Sequence, residues 1–453
     1  MKTLTLKKGL DIPAQGEPRQ EIRQGKKVTR IALVGDDYIG LKPTMLVKEG
    51  DRVALGQPLF TDKKNPAVLF TAPGSGRVEA IHRGAKRKFL SLVISLEGEE
   101  EKDFSELIPK SPQAAPPAVL REVLLESGLW TAFRTRPYGK VAGGNDTPSS
   151  LFVTALDTNP LAADPLVILE NQRELFKQGL AVVKHMLDVP VHLCMRPTAK
   201  ATEGGAELEG VEMWGIEGPH PAGLPSTHIH FIDPVQAGKQ VWHICYQDVI
   251  RIGHLFTHGR LSVEQIVALG GEGFVDPSLV RTRMGASLDE LCAEEIDTKS
   301  EWRLLSGSIL DGRIKDQETG FLGRYHRQVS VLEEGDGSSL LGWVVPGKKR
   351  FSITGLFTSA LSSPGSRFPF LTALWGGKRA IYPLDVYDRV MPMDILPLPL
   401  LKSLAVKDTE KSSALGCLEL IEEDLALCSF VCPGKNDFGP MLREVLNTIE
   451  KEG

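Results

Sequence analysis

Residues 28–96 are a run of short apolar segments, each cut off by glycine, proline or an Asp-containing turn. That punctuation leaves little but a compact β unit open to them. Val28-Thr-Arg-Ile-Ala-Leu-Val34, Val53-Ala-Leu55, Ala67-Val-Leu-Phe70, Gly76-Arg-Val-Glu-Ala-Ile81 and Phe89-Leu-Ser-Leu-Val-Ile-Ser-Leu96 have strand length, and most are rich in β-branched residues. Gly50-Asp51 and Pro73-Gly-Ser-Gly76 supply the turn chemistry between them.

The rest of the chain changes character three times. Residues 97–117 turn acidic and then rich in Pro and Ala, as a linker does. A helix follows, opened by Pro116-Pro117, with Val119, Leu120, Val123 and Leu124 on one face and Gly128 as its stop. From 150 to about 255 apolar runs (Leu151–Leu156, Val189–Cys194) alternate with an amphipathic stretch, Glu170–Leu187. That pattern predicts a parallel α/β layer. Over 258–330 the order is strand (Gln265–Leu269), Gly270-Gly271 turn, strand (Leu279–Arg283), helix (Ser287–Cys292) and strand (Arg303–Ile309), a small β-grasp pattern. The tail, Leu415–Glu452, is mostly helical, with Leu420, Leu425 and Leu427 before Pro433 and Leu442, Val445 and Ile449 after it. The expected architecture is α+β and multidomain. A β domain spans 1–100, a Rossmann-like α/β domain 118–257, a β-grasp domain of the SLBB type 258–335, and a helical domain 380–453.

Composition narrows the function classes. At 453 residues, 42% hydrophobic and 25% charged, the chain is that of an ordinary folded protein of about three domains. Its longest apolar stretches, such as Met391–Leu401, are broken well short of the ~20 residues a membrane span requires, so no transmembrane segment is expected. The N-terminus has no signal-peptide pattern. Six scattered cysteines are too few for a disulfide scaffold and fit a reducing cytoplasm. A net charge of −5 argues against a nucleic-acid partner. The first hundred residues nevertheless carry 18 Lys/Arg against 12 Asp/Glu, densest at His82-Arg-Gly-Ala-Lys-Arg-Lys88. That run is a solvated face or a docking site for an acidic partner or an anionic membrane surface.

Several constellations could carry chemistry. Val47–Val53, Gly56–Lys64 and Ala72–Val78 follow the order of lipoyl and biotinyl carrier domains, which would make Lys63 the modified lysine; the Lys64-Asn65-Pro66 that follows stiffens the hairpin tip. Ser127–Lys140 concentrates Trp130, Phe133, Arg134, Arg136, Tyr138 and Lys140, rings to stack and cations to donate, as a quinone headgroup requires. Gly35, Asp36, Asp37, Tyr38 and Gly40 form a second candidate quinone segment, and an Asp36–Arg134 ion pair is the bland alternative for both. His220, His228 and His230 suggest a metal site, but a strand bearing His228 and His230, flanked by Glu217 and Asp233, fits no ligand pattern and points to structural use. Cys428-Ser-Phe-Val-Cys432-Pro433 has the form of the end of a ferredoxin run. The two earlier ligand positions hold Glu422 and Leu425, so the pair reads as a vestigial iron–sulfur site. No phosphate-binding glycine loop and no catalytic triad is legible.

Lys7-Lys-Gly-Leu-Asp-Ile-Pro13, Asp62-Lys-Lys-Asn-Pro66, Glu126–Pro137, Asp157–Ala163, Gly218–Gly223, Arg324-Tyr-His326 and Phe430–Lys435 closely resemble the A subunits of the bacterial sodium-translocating NADH:quinone oxidoreductases, in order along the whole chain. The resemblance implies a peripheral subunit on the cytoplasmic side of the inner membrane, within a six-subunit complex that oxidises NADH, reduces ubiquinone and exports Na⁺. It implies that the electron carriers lie on other subunits. This one would hold no tightly bound cofactor and no catalytic residues of its own, and would associate with ubiquinone. The layout is more distantly similar to the C subunit of the Rnf complex and the flavin-carrying subunit of respiratory complex I. Those relatives follow Ser-Gly-Leu with a glycine-rich flavin loop, where this chain reads Trp130-Thr-Ala-Phe-Arg-Thr-Arg-Pro137. A lipoyl- or biotin-type carrier modified at Lys63 is the rival expectation.

Overall fold

A computed structural model describes residues 1–197, 210–236, 238–335, 347–355, 357–363 and 365–452. The punctuated N-terminal segment forms two small sheets. One orders Arg30–Val34, Phe89–Leu96, Gly76–Arg83 and Arg52–Val53; the other orders Pro43–Met45, Pro58–Asp62 and Asn65–Thr71. The two share a core in which Phe60 stacks on Phe70 and meets Phe89 edge-on at 5.3 Å.

The α/β expectation is met by a six-stranded sheet in the order Lys2–Thr5, Val211–Glu217, Val191–Met195, Leu151–Ala155, Val241–Cys245, Arg134–Arg136. The first five strands are parallel and the last is antiparallel. Every residue of Leu151–Ala155 and Val191–Met195 is buried, as both-face coverage demands. The helices Arg173–Leu187 and Tyr246–His258 pack backbone to backbone where Gly179 and Gly253 meet. A Cβ on either glycine would lie 1.9 Å from the other helix's carbonyl oxygen.

Two local readings are corrected. The stretch 170–187 is not one helix. Pro165–Glu170, capped by Asp164 accepting the Leu166 N–H at 3.0 Å, ends at Asn171, and a second helix begins at Arg173. His228 and His230 lie on a helix, Pro225–Ile232, and not on a strand. The His-Ile-His alternation imitates a strand, but Pro225 sits in the first turn, where its fixed φ starts a helix.

A fourth sheet orders Arg313–Ile314, Trp302–Ser306, Gln328–Glu333, Glu264–Gly270, Ser278–Arg283 and Arg19–Gln24, with the short helix Leu288–Leu291 following Ser278–Arg283 in the chain. Residues 1–24, grouped by sequence with the N-terminal β unit, thus supply edge strands to the other two sheets. The tail forms five short helices, Val386–Val390, Pro397–Ala405, Thr409–Ala414, Ala426–Val431 and Phe438–Glu452, around Tyr387, Leu400, Leu404, Leu425, Phe438 and Leu442. No helix among the described residues is long and apolar enough to cross a membrane.

Candidate functional site

The strand Arg30–Val34 runs into a single 3₁₀ turn, Gly35–Asp37, that aims the next residues at the α/β unit. Gly35 is required by space: a Cβ there would stand 2.3 Å from the Phe89 carbonyl oxygen. The turn is pinned by its two carboxylates. Asp36 pairs with Lys88 at 2.5 Å, while Asp37 pairs with Arg313 at 2.6 Å and accepts the Arg324 N–H at 2.8 Å. The Asp36–Arg134 pair expected from sequence is therefore replaced by two others. Tyr38 is buried, edge-on to Phe70 at 4.8 Å and to Tyr325 at 6.1 Å, and burial pushes its hydroxyl pKa well up.

The second segment divides into an enclosed half and an open half. Phe133 is fully buried and packs against Trp130 at 5.3 Å and Trp242 at 5.6 Å, so its ring offers no face to a ligand. Arg136 is also fully enclosed. Its Nε donates to Ser226 Oγ at 2.9 Å, Nη1 donates to the Thr135 carbonyl at 3.2 Å and meets His243 Nε2 at 3.0 Å, and Nη2 reaches Glu423 at 3.4 Å. Burial lowers its pKa to about 10. It serves as a clamp between the parallel sheet and the C-terminal helices. The chain then reverses through Tyr138 (φ +76°) and Gly139 (φ +69°); a left-handed tyrosine is an uncommon, strained placement that marks the turn. The reversal brings out Lys140, which pairs with Glu450 of the last helix. A Cβ on Gly40 would lie 3.2 Å from Lys140 Nζ, so the two segments chosen from sequence touch.

Where they meet there is a cleft of about 440 Å³. Tyr38, Gly40 and Phe70 wall it from the β unit, Thr135, Tyr138 and Lys140 from the α/β unit, and Glu450 closes one side. Of the residues singled out, the cleft takes in Tyr38, Gly40, Tyr138 and Lys140. Gly35, Asp36, Asp37, Phe133, Arg134 and Arg136 lie outside its walls. Behind Tyr38 and Phe70 is a second, small cavity of about 50 Å³, whose lining includes Asp37, Gly128, Thr131 and Arg324. Arg324 is 6% exposed, and although Nη1 is held by Asp248 at 2.9 Å, its Nη2 has no partner. Arg134 lies over the same Tyr325 ring as Arg324, at 4.6 and 5.4 Å, and its Nε is likewise buried and unpartnered. Both guanidiniums thus keep one N–H without an acceptor beside the Tyr325 ring, although only Arg324 lines the small cavity. Sequence reasoning missed Arg324. Its only signal there was the Arg324-Tyr-His326 motif.

The remaining candidates are occupied by structural work. Glu422 is held bidentately by Arg443 at 2.6 Å and Leu425 is fully buried, so neither stands free where a cluster ligand would be. Cys428 and Cys432 are both buried. The first is pushed up to about 12 by burial, whereas burial of the second is outweighed by hydrogen bonds from Tyr387 Oη at 3.2 Å and from Asn436, which hold it below the usual thiol range. His220 meets Thr158 Oγ1 at 3.2 Å and His228 Nε2 meets the Ala222 carbonyl at 2.8 Å, and burial lowers both to about 4. His230 joins Glu419 at 2.9 Å and accepts the Asp394 N–H, a bridge to the helical unit. Among the described residues no set of three His, Cys, Asp or Glu could hold a metal ion. Lys63 is exposed, but its hairpin is not a free arm. The neighbouring Asn65 donates to the Ala142 carbonyl at 3.3 Å and accepts the Gly144 N–H at 3.2 Å, tying the tip to the α/β unit.

The fold is that of a mixed α/β multidomain protein with a cleft where its β unit, its parallel sheet and its last helix meet. Three family models match it in order: the NqrA N-terminal barrel-sandwich hybrid domain over residues 4–97, the NqrA second alpha/beta domain over 116–261, and the NQRA C-terminal domain over 266–316. The A subunit of the Na(+)-translocating NADH-quinone reductase of Neisseria gonorrhoeae is 50% identical over 451 residues, 99% of this chain and 100% of that protein. That of Pasteurella multocida is 50% identical over 99% of this chain and 100% of its own length, and that of Rhodopirellula baltica 49% over 99% and 98%. A crystal structure of an NAD⁺-reducing [NiFe]-hydrogenase gives a TM-score of 0.37 at 13% identity, covering 49% of this chain and 48% of that one. The chain belongs to the family of the A subunits of the Na⁺-translocating NADH-quinone reductases.

Proposed function

We propose that the chain supports quinone binding and reduction coupled to Na⁺ export. It does so as a peripheral subunit of a six-subunit complex on the cytoplasmic side of the inner membrane, with no flavin or iron–sulfur centre of its own. The observation that carries the quinone reading is the convergence of Tyr38, Phe70, Tyr138 and Lys140 on one cleft. A quinone ring needs apolar walls and donors for its carbonyl oxygens. Tyr38 and Phe70 supply apolar wall, and Lys140 and Lys64 are the cations that line the same cleft.

The reading without a flavin is supported by Trp130, which stands at the sequence position where the flavin-carrying relatives have a glycine-rich loop. Its fully buried ring donates Nε1–H to the Ala142 carbonyl at 3.0 Å and meets Trp242 at 5.6 Å. The strand-order reversal beside Leu151–Ala155 in the parallel sheet supports the Rossmann-like reading of that unit, and the paired N-terminal sheets support the biotinyl/lipoyl-like reading. The docked hairpin tip weighs against a Lys63 carrier, since a carrier lysine has to swing.

Titration of the purified chain with a short-tail ubiquinone, followed by quenching of its tryptophans, tests the reading. A charged donor to a carbonyl contributes ~1.5–3 kcal/mol, so Lys140→Gln should weaken binding roughly ten- to hundredfold, whereas Lys63→Ala should leave it unchanged. Equal affinity in wild type and Lys140→Gln would contradict the reading.

A further inference from the structure

The stretch between the fourth sheet and the C-terminal helices lies mostly outside the domains read from sequence, and it has a composition of its own. Residues 347–384 hold Lys348, Lys349, Arg350, Arg367, Lys378 and Arg379 and not one Asp or Glu, in a chain whose net charge is −5. Apart from the single 3₁₀ turn Thr358–Leu361, the described part of this stretch has no helix or named strand. A long irregular segment of this kind in a compact protein is characteristically a binding element.

Ile353, Phe370 and Ile381 pack against the helical core, but other apolar residues face outward. Leu361 is 88% exposed, Leu374 67% and Trp375 45%, with Tyr382 and Leu384 exposed beside them. The segment is nonetheless built as one surface. The Arg350 guanidinium lies 3.9 Å above the Trp375 ring, and Ser359, two residues before Leu361, hydrogen-bonds the Arg350 carbonyl. Phe351 gathers Phe368, Phe370 and the half-exposed Phe430 within about 6 Å, and the Arg379 N–H bonds the Gly434 carbonyl, placing Lys435 at the same edge. Arg367 is neutralised by Glu17, but Lys348, Lys349, Lys378 and Arg379 have no carboxylate partner among the described residues. Exposed Trp, Tyr and Leu interleaved with unneutralised Lys and Arg match the boundary of an anionic bilayer, where rings sit at headgroup depth and cations lie over phosphates. The 82–88 run lacks that apolar half, and its Lys88 is paired with Asp36.

We propose that the exposed Leu361, Leu374, Trp375, Lys378, Arg379 and Tyr382, with Phe430 and Lys435, form the face by which this chain lies on an anionic lipid surface. The inference deepens the peripheral-membrane reading and does not depend on the quinone cleft, since lipid binding needs no quinone.

The test is flotation of the full-length chain with vesicles of equal parts phosphatidylcholine and phosphatidylglycerol, against vesicles of phosphatidylcholine alone. The chain should float with the anionic vesicles at low salt and be released as salt rises. Lys378→Glu with Arg379→Glu should weaken binding at least about tenfold, and Leu374→Ser with Trp375→Ser should weaken it comparably without altering salt sensitivity. Lys86→Glu with Arg87→Glu should leave it unchanged. All these residues are exposed, so circular dichroism should show each variant folded. Absence of flotation, or flotation of the 374/375 and 378/379 variants equal to that of the wild type, overturns the proposal. If the wild-type chain ignores vesicles while the same variants lose retention on membranes carrying the whole complex, the face belongs to a protein partner and the lipid assignment fails. The peripheral reading survives that result, which separates the two.

Discussion

Replacing Asp248 with asparagine removes the carboxylate that faces three buried guanidiniums and keeps the shape of the side chain. Asp248 on the helix Tyr246–His258 is 1% exposed. It pairs with Arg251 at 2.7 Å and, across the domain boundary, with Arg324 and Arg327 at 2.9 Å. Burial raises a carboxylate's pKa, but the three cations outweigh it and hold Asp248 well below the ordinary aspartate value of 3.8. Each contact at about 4 Å charge separation is worth ~4 kcal/mol at an effective dielectric of about 20, and desolvation cancels much of that. Breaking a buried pair by removing one partner costs ~3–5 kcal/mol. With three like charges left together, Asp248→Asn should sit near the top of that range, about 5 kcal/mol, or roughly 10 °C in the unfolding transition.

Trp130 and Trp242 are buried in the α/β unit, so tryptophan fluorescence in urea reads that transition. The sign of the pH dependence follows from the depressed pKa. The carboxylate's contribution is complete above about pH 4, the unfolded value, and is lost as pH falls through the lower folded value. The gap between wild type and Asp248→Asn should therefore be full at pH 7 and narrow in strong acid. A loss below about 1 kcal/mol at pH 7, or a gap that stays constant into acid, would refute the reasoning.

Arg136→Ala should lower stability by about 3–5 kcal/mol, because it strips the counter-charge from Glu423 in a closed clamp, and differential scanning calorimetry would show it as a lower first transition. His220 and His228 are held neutral, with values lowered from 6.5 to about 4. Their share of stability is present above pH 6.5 and is lost as pH falls toward 4, about 3 kcal/mol each at the limit. His228→Gln should flatten the acid limb of a stability–pH curve, and an unchanged slope would count against it. Gly253→Ala should be among the most damaging single-methyl additions, since its Cβ meets the Leu175 carbonyl at 1.9 Å; urea midpoints for it and for the open-space control Gly377→Ala would compare the two directly. Intact mass should show no lipoyl or biotinyl addition on Lys63.

What the sequence revealed and hid has a physical pattern. Five of the seven strands of 28–96 were legible because turn residues bound each of them locally, while Pro43–Met45 and Pro58–Asp62, each opened by a proline, were not. The α/β layer was legible because Leu151–Leu156 and Val189–Cys194 are largely apolar on both faces. Lys2–Thr5 and Arg19–Gln24 were illegible as parts of other sheets. They are short, largely exposed edge strands whose partners, Val211–Glu217 and Ser278–Arg283, lie more than about two hundred residues away. Tyr38 and Tyr138 could be chosen from local chemistry, and they do share a cleft. Phe133 and Arg136 carried the same chemistry but are buried by Trp242, His243 and Glu423, none of which their own segment announces. Arg324 was hidden for the opposite reason: nothing beside it in the chain says that one of its nitrogens is left unpartnered.

A quinone that enters the cleft between the Tyr38 turn and the Tyr138–Lys140 turn must bring its ring within reach of both walls. A ubiquinone bearing an azide on that ring, photolysed in place and followed by peptide mapping, reports where it sits. Label should appear on peptides containing residues 38–41, 64–70 or 138–144, competed away by unlabelled ubiquinone and reduced in Lys140→Gln. Competable label confined to peptides outside those three stretches, or no competable label at all, would contradict a quinone in this cleft.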